Sequence, residues 1–361
     1  MTRSSARPLL SPEEIAVRAG EQTPFIRYPE RALVFGEREM RLRQLSPGHA
    51  MGDYLGFVAE IARVQGELLA EPIEALLPSF GEVEAASRGG LPLLPAAGSA
   101  RDASWLRLQR RLLQRLGQRL PDSPARATIG ALAAADDAAL EAQADRLLSG
   151  VMLGLDLATA PLVAAALQVW FTHRVLATRD LHATAREPAF GRVDDETRCP
   201  CCGSLPVLGM LRIGGAEGGF RYLSCALCSV QWHMVRIKCS HCLSTKGIGY
   251  RSLRGLAADE DGQASATNAD DSVAERAEAG RRVEGAATVA RAVEAECCSE
   301  CGHYLKMLHM ERDPHVDPVA DDLATLTLDL LVSEEGFARH GVDLMLLFGD
   351  PDASPPNGGG G

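Results

Sequence analysis

The first half of the chain repeats apolar and polar positions at the period of an α-helix. In residues 53–70 the large apolar side chains recur at steps of three, at Leu55, Val58, Ile61 and Val64. Residues 104–120 set leucines against an arginine-rich face, and residues 136–149 and 158–178 continue the pattern. Such recurrence is typical of amphipathic helices. We therefore expect an all-α helical domain over residues 29–190.

The pattern changes after Arg198, where the helical period ends. Glycines, cysteines and short β-type runs replace it, at Phe220 to Leu223 and at Val230 to Lys238. The glycine-rich segment from Gly214 to Gly219 is typical of a turn, and it lacks the strand-to-helix context of a phosphate-binding loop. The predicted class is α+β.

An amphipathic pattern returns near the C-terminus. Residues 318–341 begin with an acidic turn and carry apolar positions at Leu323, Leu326, Leu330 and Leu331. This spacing predicts one C-terminal helix that closes the fold, within residues 317–348.

Three segments lack the large apolar side chains that a packed core requires. Residues 1–28 are interrupted by prolines, residues 257–287 are rich in Ala, Asp, Glu and Gly, and residues 349–361 end in SPPNGGGG. Such segments cannot bury enough surface to offset the entropy lost on ordering. We expect a loosely ordered N-terminus, a flexible acidic insertion and a disordered tail.

Charge and hydropathy exclude several classes of protein. The formal net charge of −11 argues against a general nucleic-acid-binding surface, which needs basic residues. The most apolar stretch, Leu157 to Thr172, is shorter than the ~20 residues of a membrane span, so we expect a buried helix. The N-terminus shows no secretory signal, which predicts a cytoplasmic protein. No triad, P-loop, HExxH or dinucleotide motif is visible, so no enzyme is predicted.

The cysteines carry the clearest chemical signal. All ten lie between Cys199 and Cys301, and eight form CxxC pairs: Cys199/Cys202, Cys225/Cys228, Cys239/Cys242 and Cys298/Cys301. Two intervening residues let both sulfurs face one point, and two such turns complete a tetrahedron of thiolates. Tetrahedral sulfur ligation selects zinc or iron. A disulfide framework is the weaker alternative, because a cytosolic chain of this length does not need disulfide bonds to stabilise its fold.

The spacing of the pairs suggests which cysteines share a site. Twenty-two residues separate Cys202 from Cys225, enough for a hairpin that brings two turns together. We assign site 1 to Cys199, Cys202, Cys225 and Cys228, and site 2 to Cys239, Cys242, Cys298 and Cys301. Interleaved pairing is the alternative. Glycine after Cys202 and after Cys301 permits positive φ, so that backbone amides can point at the sulfurs.

Other residues near the CxxC pairs are not expected to bind metal or to react. Cys201 and Cys297 are interpreted as spare residues, with a redox or sulfur-relay thiol as the alternative. His233, His241 and His303 lie near the sites, but four sulfurs per metal make histidine ligation unnecessary. Trp232 is expected in the core.

Basic residues accumulate around the first three cysteine pairs. Between Cys199 and Gly255 the only acid is Glu217, and the cations are Arg212, Arg221, Arg236, Lys238, Lys246, Arg251 and Arg254. These cations either offset the negative charge of thiolate-bound metal or form a docking face for an acidic partner or nucleic acid.

Several segments resemble the FdhE family of formate dehydrogenase accessory proteins. They are CPCCGSLPV from Cys199, RYLSCALC from Arg221, WHMVRIKCSHC from Trp232, ECCSECGHYLKML from Glu296, DPVADDLATLTLDLLVSEEGFARHG from Asp317 and, near the N-terminus, GDYLGFVAEIARVQ from Gly52. The resemblance spans most of the chain and fades over residues 1–28, 257–287 and the tail. Cys201, the doubled Cys297-Cys298 and the length of the insertion depart from the family pattern.

The resemblance implies a helical domain followed by two rubredoxin-like modules, which we place at residues 191–238 and 239–316. Each module would bind ferric iron through four cysteines, with zinc as the alternative metal. The protein would act in the cytoplasm on the catalytic subunit of respiratory formate dehydrogenase, which it helps to mature. Two other functions stay open: rubredoxin-like electron transfer or thiol redox chemistry, and nucleic-acid binding by a zinc ribbon.

Overall fold

A computed structural model describes residues 24–185, 187–213, 219–253 and 292–349, together with residue 352. The acidic insertion predicted at residues 257–287 lies outside the described residues. So do residues 1–23 of the predicted loose N-terminus, most of the predicted tail, and residues 214–218 of the predicted turn.

Seven helices form the first half of the described chain. They are α1 (Val34–Leu45), α2 (Gly52–Ala70), α3 (Phe80–Arg88), α4 (Ser104–Arg119), α5 (Pro124–Ala134), α6 (Asp137–Ser149) and α7 (Ala160–Leu181). Serine and aspartate side chains cap several of them, as Ser79 does for α3 in a capping box with Glu82. The predicted helical domain is confirmed.

The central element of this domain is α7, which packs against α2, α4 and α6. Every residue from Ala160 to Thr172 on it is buried, which explains why its sequence is almost uniformly apolar. The apolar stretch noted in the sequence is therefore a core helix. None of the helices in the described ranges combines the length and apolar character needed to cross a membrane.

The second half of the chain builds an eight-stranded sheet together with one short strand near the N-terminus. Its strands are β1 (Ile26–Arg27), β2 (Pro206–Arg212), β3 (Phe220–Cys225), β4 (Gln231–His233), β5 (Ile248–Arg251), β6 (Val293–Cys298), β7 (His303–His309) and β8 (Ala338–Arg339). The order is β1-β4-β3-β2-β7-β6-β5, and β8 pairs with β7. The predicted strand at Val230 to Lys238 is shorter than expected, because the chain turns after β4 and the buried Arg221 side chain donates to the carbonyl oxygen of Lys238 at 2.7 Å.

The sheet contains the same arrangement twice. An antiparallel pair, β2 with β3, leads from one CxxC turn to another, and β5 with β6 does the same. The two pairs are joined through β7, which is antiparallel to β6 and parallel to β2. A buried ion pair between Arg221 on β3 and Glu296 on β6, at 2.8 Å, adds a second connection between them.

The C-terminal region differs from the single helix that the sequence predicted. Two short helices are present, α8 (Pro318–Leu323) and α9 (Leu326–Glu334). The helix is interrupted because side chains take its terminal carbonyl groups: the Thr325 hydroxyl donates to the oxygen of Asp321 at 2.7 Å, and Lys306 donates to that of Asp322 at 2.8 Å. In α9, Leu328 is buried while Leu330 is exposed, so the buried face also differs from the predicted one.

Buried ion pairs fasten these C-terminal helices to the rest of the fold. Lys306 on β7 lies 2.9 Å from an oxygen of Asp322 and 2.5 Å from one of Asp329, and Arg339 contacts the same two carboxylates. Arg41 on α1 lies 2.6 Å from Asp321. Burial alone would raise the pKa of Asp322, but the charges of Arg339 and Lys306 lower it. The carboxylates of α8 and α9 thus connect the helical domain to the sheet.

We expect Lys306→Met to destabilise the protein by about 3–5 kcal/mol, because it leaves two buried carboxylates with one cation between them. Urea unfolding followed by circular dichroism measures the change. Arg43→Met is the matched control, since Arg43 pairs with Glu39 and Glu60 at an exposed position. We expect the Arg43→Met variant to lose less than about 1 kcal/mol of unfolding free energy. Equal costs in the two variants would contradict this account of the buried network.

Candidate metal centres

The structure brings the eight CxxC sulfurs into two groups of four. Cluster 1 contains Cys199, Cys202, Cys225 and Cys228, and cluster 2 contains Cys239, Cys242, Cys298 and Cys301. These are the groupings that the spacing predicted, and the interleaved alternative is not what the structure shows. Whether these cysteines act as metal ligands stays a prediction.

The sulfur separations match those of a tetrahedral metal site. In cluster 1 the Sγ atoms of Cys199 and Cys228 are 3.5 Å apart and those of Cys202 and Cys225 are 3.4 Å apart. In cluster 2 the pairs Cys239/Cys301 and Cys242/Cys298 are separated by 3.9 and 3.8 Å. Four sulfurs at ~2.3 Å from one ion would lie ~3.8 Å from each other. Both groups therefore have the donor set and dimensions to hold a zinc or iron ion.

The same distances argue against disulfide bonds. A disulfide holds its sulfurs ~2.05 Å apart. All ten cysteines, each within the described residues, are free. The disulfide alternative therefore finds no support in the geometry.

Each CxxC turn is followed by a residue with left-handed backbone conformation. Gly203 and Gly302 have φ of 72° and 69°, as the sequence suggested. Ser229 and Leu243 occupy the equivalent positions after Cys228 and Cys242, with φ of 59° and 63°. The left-handed conformation of Ser229 and Leu243 could not be predicted from the sequence, because neither residue type favours this region. The turn geometry, and not the presence of glycine, is what repeats.

Backbone hydrogen bonds shape the turns around the sulfurs. The amides of Gly203, Leu243 and Gly302 donate to the carbonyl oxygens of Cys199, Cys239 and Cys298, at 2.8, 3.1 and 2.9 Å. Other amides point at sulfur: Leu227 and Cys228 donate to the Sγ of Cys225, and His241 donates to that of Cys239. Amide donors to sulfur favour the thiolate form that a metal ligand requires.

Cluster 1 is enclosed by the helical domain. Its four cysteines are all buried, and the loop after α3 supplies two amides, from Leu94 and Ala96, to the carbonyl oxygens of Cys201 and Cys202. From α7, the side chain of Gln168 donates to the carbonyl oxygen of Ala226 at 2.7 Å, inside the second turn of the cluster. Gln168 also accepts from Gln65 on α2. Gln168, the polar residue within the apolar stretch of α7, therefore connects the helical domain to cluster 1 by a hydrogen bond.

Cluster 2 is more open than cluster 1. Cys242 is exposed and Cys301 is partly exposed, while Cys239 and Cys298 are buried. Three histidines gather beside it, with His241 stacked on His303 and His340 in edge contact with His241. The sequence singled out His241 and His303 as neighbours of the sites. It gave no sign of His340, which lies about forty residues further along the chain.

The two cysteines outside the clusters are buried thiols. Burial raises the pKa of Cys201, and it raises the pKa of Cys297 to about 11. Because the thiolate is the reactive form, these buried surroundings favour the interpretation as spare residues, which stays a prediction. Trp232 is buried, as predicted, and its indole nitrogen donates to the carbonyl oxygen of Glu196 at 3.0 Å.

Several basic residues noted around the cysteine pairs have carboxylate partners elsewhere in the chain. Arg221 pairs with Glu296, Lys238 with Glu196 and Arg251 with Glu335, at 2.8, 2.6 and 2.7 Å. Two further members of the sequence pattern, Arg254 and Glu217, lie outside the described residues. These three pairings weaken the interpretation of the patch as a docking face for an acidic partner or nucleic acid.

Comparison with known proteins gives consistent matches along the chain. Family models match for the N-terminal region of FdhE at residues 23–188, for its central domain at residues 198–236 and for its C-terminal domain at residues 277–346. An FdhE homologue from Pseudomonas aeruginosa is 38% identical over 349 residues, which are 95% of this chain and 99% of that protein. One from Cronobacter sakazakii is 34% identical over 92% of this chain and 94% of that protein.

A solved structure agrees with these matches. The crystal structure of the FdhE protein from Pseudomonas aeruginosa has a TM-score of 0.70 and 35% identity to this chain, and the alignment covers 90% of this chain and 99% of that one. Relatives of more than 30% identity that align along their whole length share a family. This chain belongs to the FdhE family.

Proposed function

We propose that this protein is an accessory factor for the maturation of formate dehydrogenase and that its two cysteine clusters are tetrathiolate metal centres. Membership in the FdhE family supports the maturation role. The observation that carries the metal assignment is the convergence of eight sulfurs into two groups of tetrahedral dimensions. No catalytic step is assigned to the protein.

The ligands in this proposal are the four cysteines of each cluster, and the metal is ferric iron, with zinc as the alternative. An ion held by four thiolates would supply a fixed crosslink between two turns and, for iron, a one-electron redox centre. An absorption spectrum of anaerobically purified protein tests the metal. Ferric tetrathiolate is red and gives visible charge-transfer bands, whereas zinc protein is colourless.

Cluster 1 has the surroundings of a structural centre. Its turns receive hydrogen bonds from Leu94, Ala96 and Gln168 of the helical domain, so fixing the turns also fixes the junction between that domain and the sheet. A crosslink at this point would hold both halves in one arrangement. We infer that the two halves, held in this arrangement, together form the surface that a partner protein contacts.

The proposed partner is the catalytic subunit of formate dehydrogenase, and the proposed place of action is the cytoplasm. The family of the chain suggests the partner, and the cytoplasm is what the resemblance to that family implies. A maturation factor of this kind acts by binding an incompletely assembled subunit, so it needs a rigid surface more than a reactive group. The buried ion pairs and the hydrogen bonds at the cluster 1 junction support this part of the proposal.

A second candidate function, rubredoxin-like electron transfer, is favoured by one observation. Cluster 2 exposes Cys242 and part of Cys301, which would give a redox partner access to an iron ion held there. Reversible bleaching of the visible bands at an accessible potential, with the fold retained, would support this role. Loss of the fold on reduction would support a structural one.

Replacing the two cysteines of one CxxC turn should remove about half of the bound metal. We expect this for Cys199→Ser with Cys202→Ser, and for Cys239→Ser with Cys242→Ser, since serine does not replace thiolate as a ligand for these ions. Elemental analysis of purified protein gives the metal content. Cys201→Ser and Cys297→Ser are matched controls that should keep it unchanged. Unaltered content in both double variants would disprove the two-centre assignment.

A metal chelator should empty the two clusters at different rates. The exposed cluster 2 should lose its ion first. The rate of ion release from the buried cluster 1 should be at least roughly ten-fold lower, because this release requires local opening of the fold. Stopped-flow absorption with a coloured chelator resolves the two phases. The variant lacking Cys239 and Cys242 should show the slow phase alone, and a single phase in the intact protein would contradict the difference in burial.

The protein should co-purify with the catalytic subunit of formate dehydrogenase from cells grown anaerobically on nitrate and formate. Affinity purification with quantitative mass spectrometry measures the enrichment. The double variant of cluster 1, Cys199→Ser with Cys202→Ser, should lose this enrichment, because the junction that shapes the proposed surface is no longer fixed. Failure of the intact protein to enrich this subunit would count against the maturation role.

A further inference from the structure

A group of histidines beside cluster 2 has no part in the proposed function. The rings of His241 and His303 stack with their centroids 3.7 Å apart and their planes within 12° of parallel. The ligand atoms of these two rings and the Sγ of Cys301 all lie within 4.8 Å of each other. Two imidazoles and one thiolate form a ligand set that borderline divalent ions prefer.

The position of His303 is fixed in the manner of a metal ligand. Its Nδ1 lies 2.8 Å from the carbonyl oxygen of Cys301. A carbonyl oxygen can only accept, so Nδ1 carries the proton and the lone pair of Nε2 is left for a metal ion. This hydrogen bond to a backbone carbonyl is the usual way in which proteins orient a histidine ligand.

Ordinary core packing does not explain the group. His241 is exposed, so burial of apolar surface gives little reason for it to stack on His303. His340 lies in edge contact with His241, at 5.0 Å between centroids, and is 92% buried. Its Nε2 has no hydrogen-bond partner within the described part of the chain. A buried ring nitrogen without a partner is unfavourable, and a water molecule on a nearby ion would supply one.

We propose that His241 and His303, together with the Sγ of Cys301, form a third metal position for a divalent ion of the zinc type. Cys301 would be shared between this position and cluster 2, because a thiolate sulfur keeps lone pairs after binding one metal. The proposal rests on the assignment of Cys301 to the second metal centre.

Cadmium-113 NMR of the full chain tests the third position. Cd²⁺ shares the ligand preferences of zinc, and its chemical shift reports how many sulfurs surround it. With three equivalents of ¹¹³Cd²⁺ added anaerobically to the apo protein, we expect two strongly deshielded four-sulfur resonances and a third, more shielded one. His241→Gln and His303→Gln should each remove the third resonance and keep the other two. His233→Gln, on β4, is the matched control and should keep all three.

The possible outcomes separate this proposal from the preceding one. Two four-sulfur resonances without a third would overturn the third position and leave the two metal centres intact. Absence of four-sulfur resonances in the unaltered protein would overturn the metal centres themselves. A third resonance that survives both histidine substitutions would overturn the ligand assignment. In every variant, the cluster 1 resonance reports whether the chain has folded. Joint loss of the cluster 2 and third resonances in a histidine variant would show that the histidines belong to cluster 2 itself, and this would also overturn a separate third position.

Discussion

The convergence of four cysteine sulfurs within 4.8 Å of one another, twice in one chain, is the constraint on which this structure depends. Thiolates packed this closely repel one another, so a cation between them has to compensate their charge. The sequence meets the constraint with CxxC turns, a left-handed residue after each turn and amides directed at sulfur. The antiparallel strand pairs β2 with β3 and β5 with β6 connect the turns of each cluster.

The two clusters sit in different surroundings and contribute differently to the molecule. Cluster 1 is buried at the junction of the helical domain and the sheet, where Gln168 connects it to α7 and α2. Cluster 2 lies at a more open position beside three histidines. Between them, buried pairs such as Arg41 with Asp321 and Lys306 with Asp322 hold the C-terminal helices against both halves. One buried and one more exposed cysteine cluster in the same molecule are consistent with a factor that binds another protein.

Much of this organisation could be predicted from local signals. Helical periodicity located the first domain, and CxxC spacing located both cysteine groups, because each depends on residues close together in the chain. What escaped prediction depends on contacts between distant residues. The break between α8 and α9 involves Lys306 on β7 as well as the local Thr325, and the role of Gln168 depends on a carbonyl group 58 positions away. Leu243 adopts a conformation that its side chain disfavours, so only the fold could reveal it.

X-ray absorption at the metal edge tests the central claim most directly, because it measures the ligands of every bound ion in the intact protein. With two equivalents of metal bound per chain, the account predicts a first shell made of sulfur alone, four atoms at ~2.3 Å around each ion. A first shell dominated by nitrogen or oxygen, or a short metal–metal distance showing both ions gathered in one cluster, would contradict it.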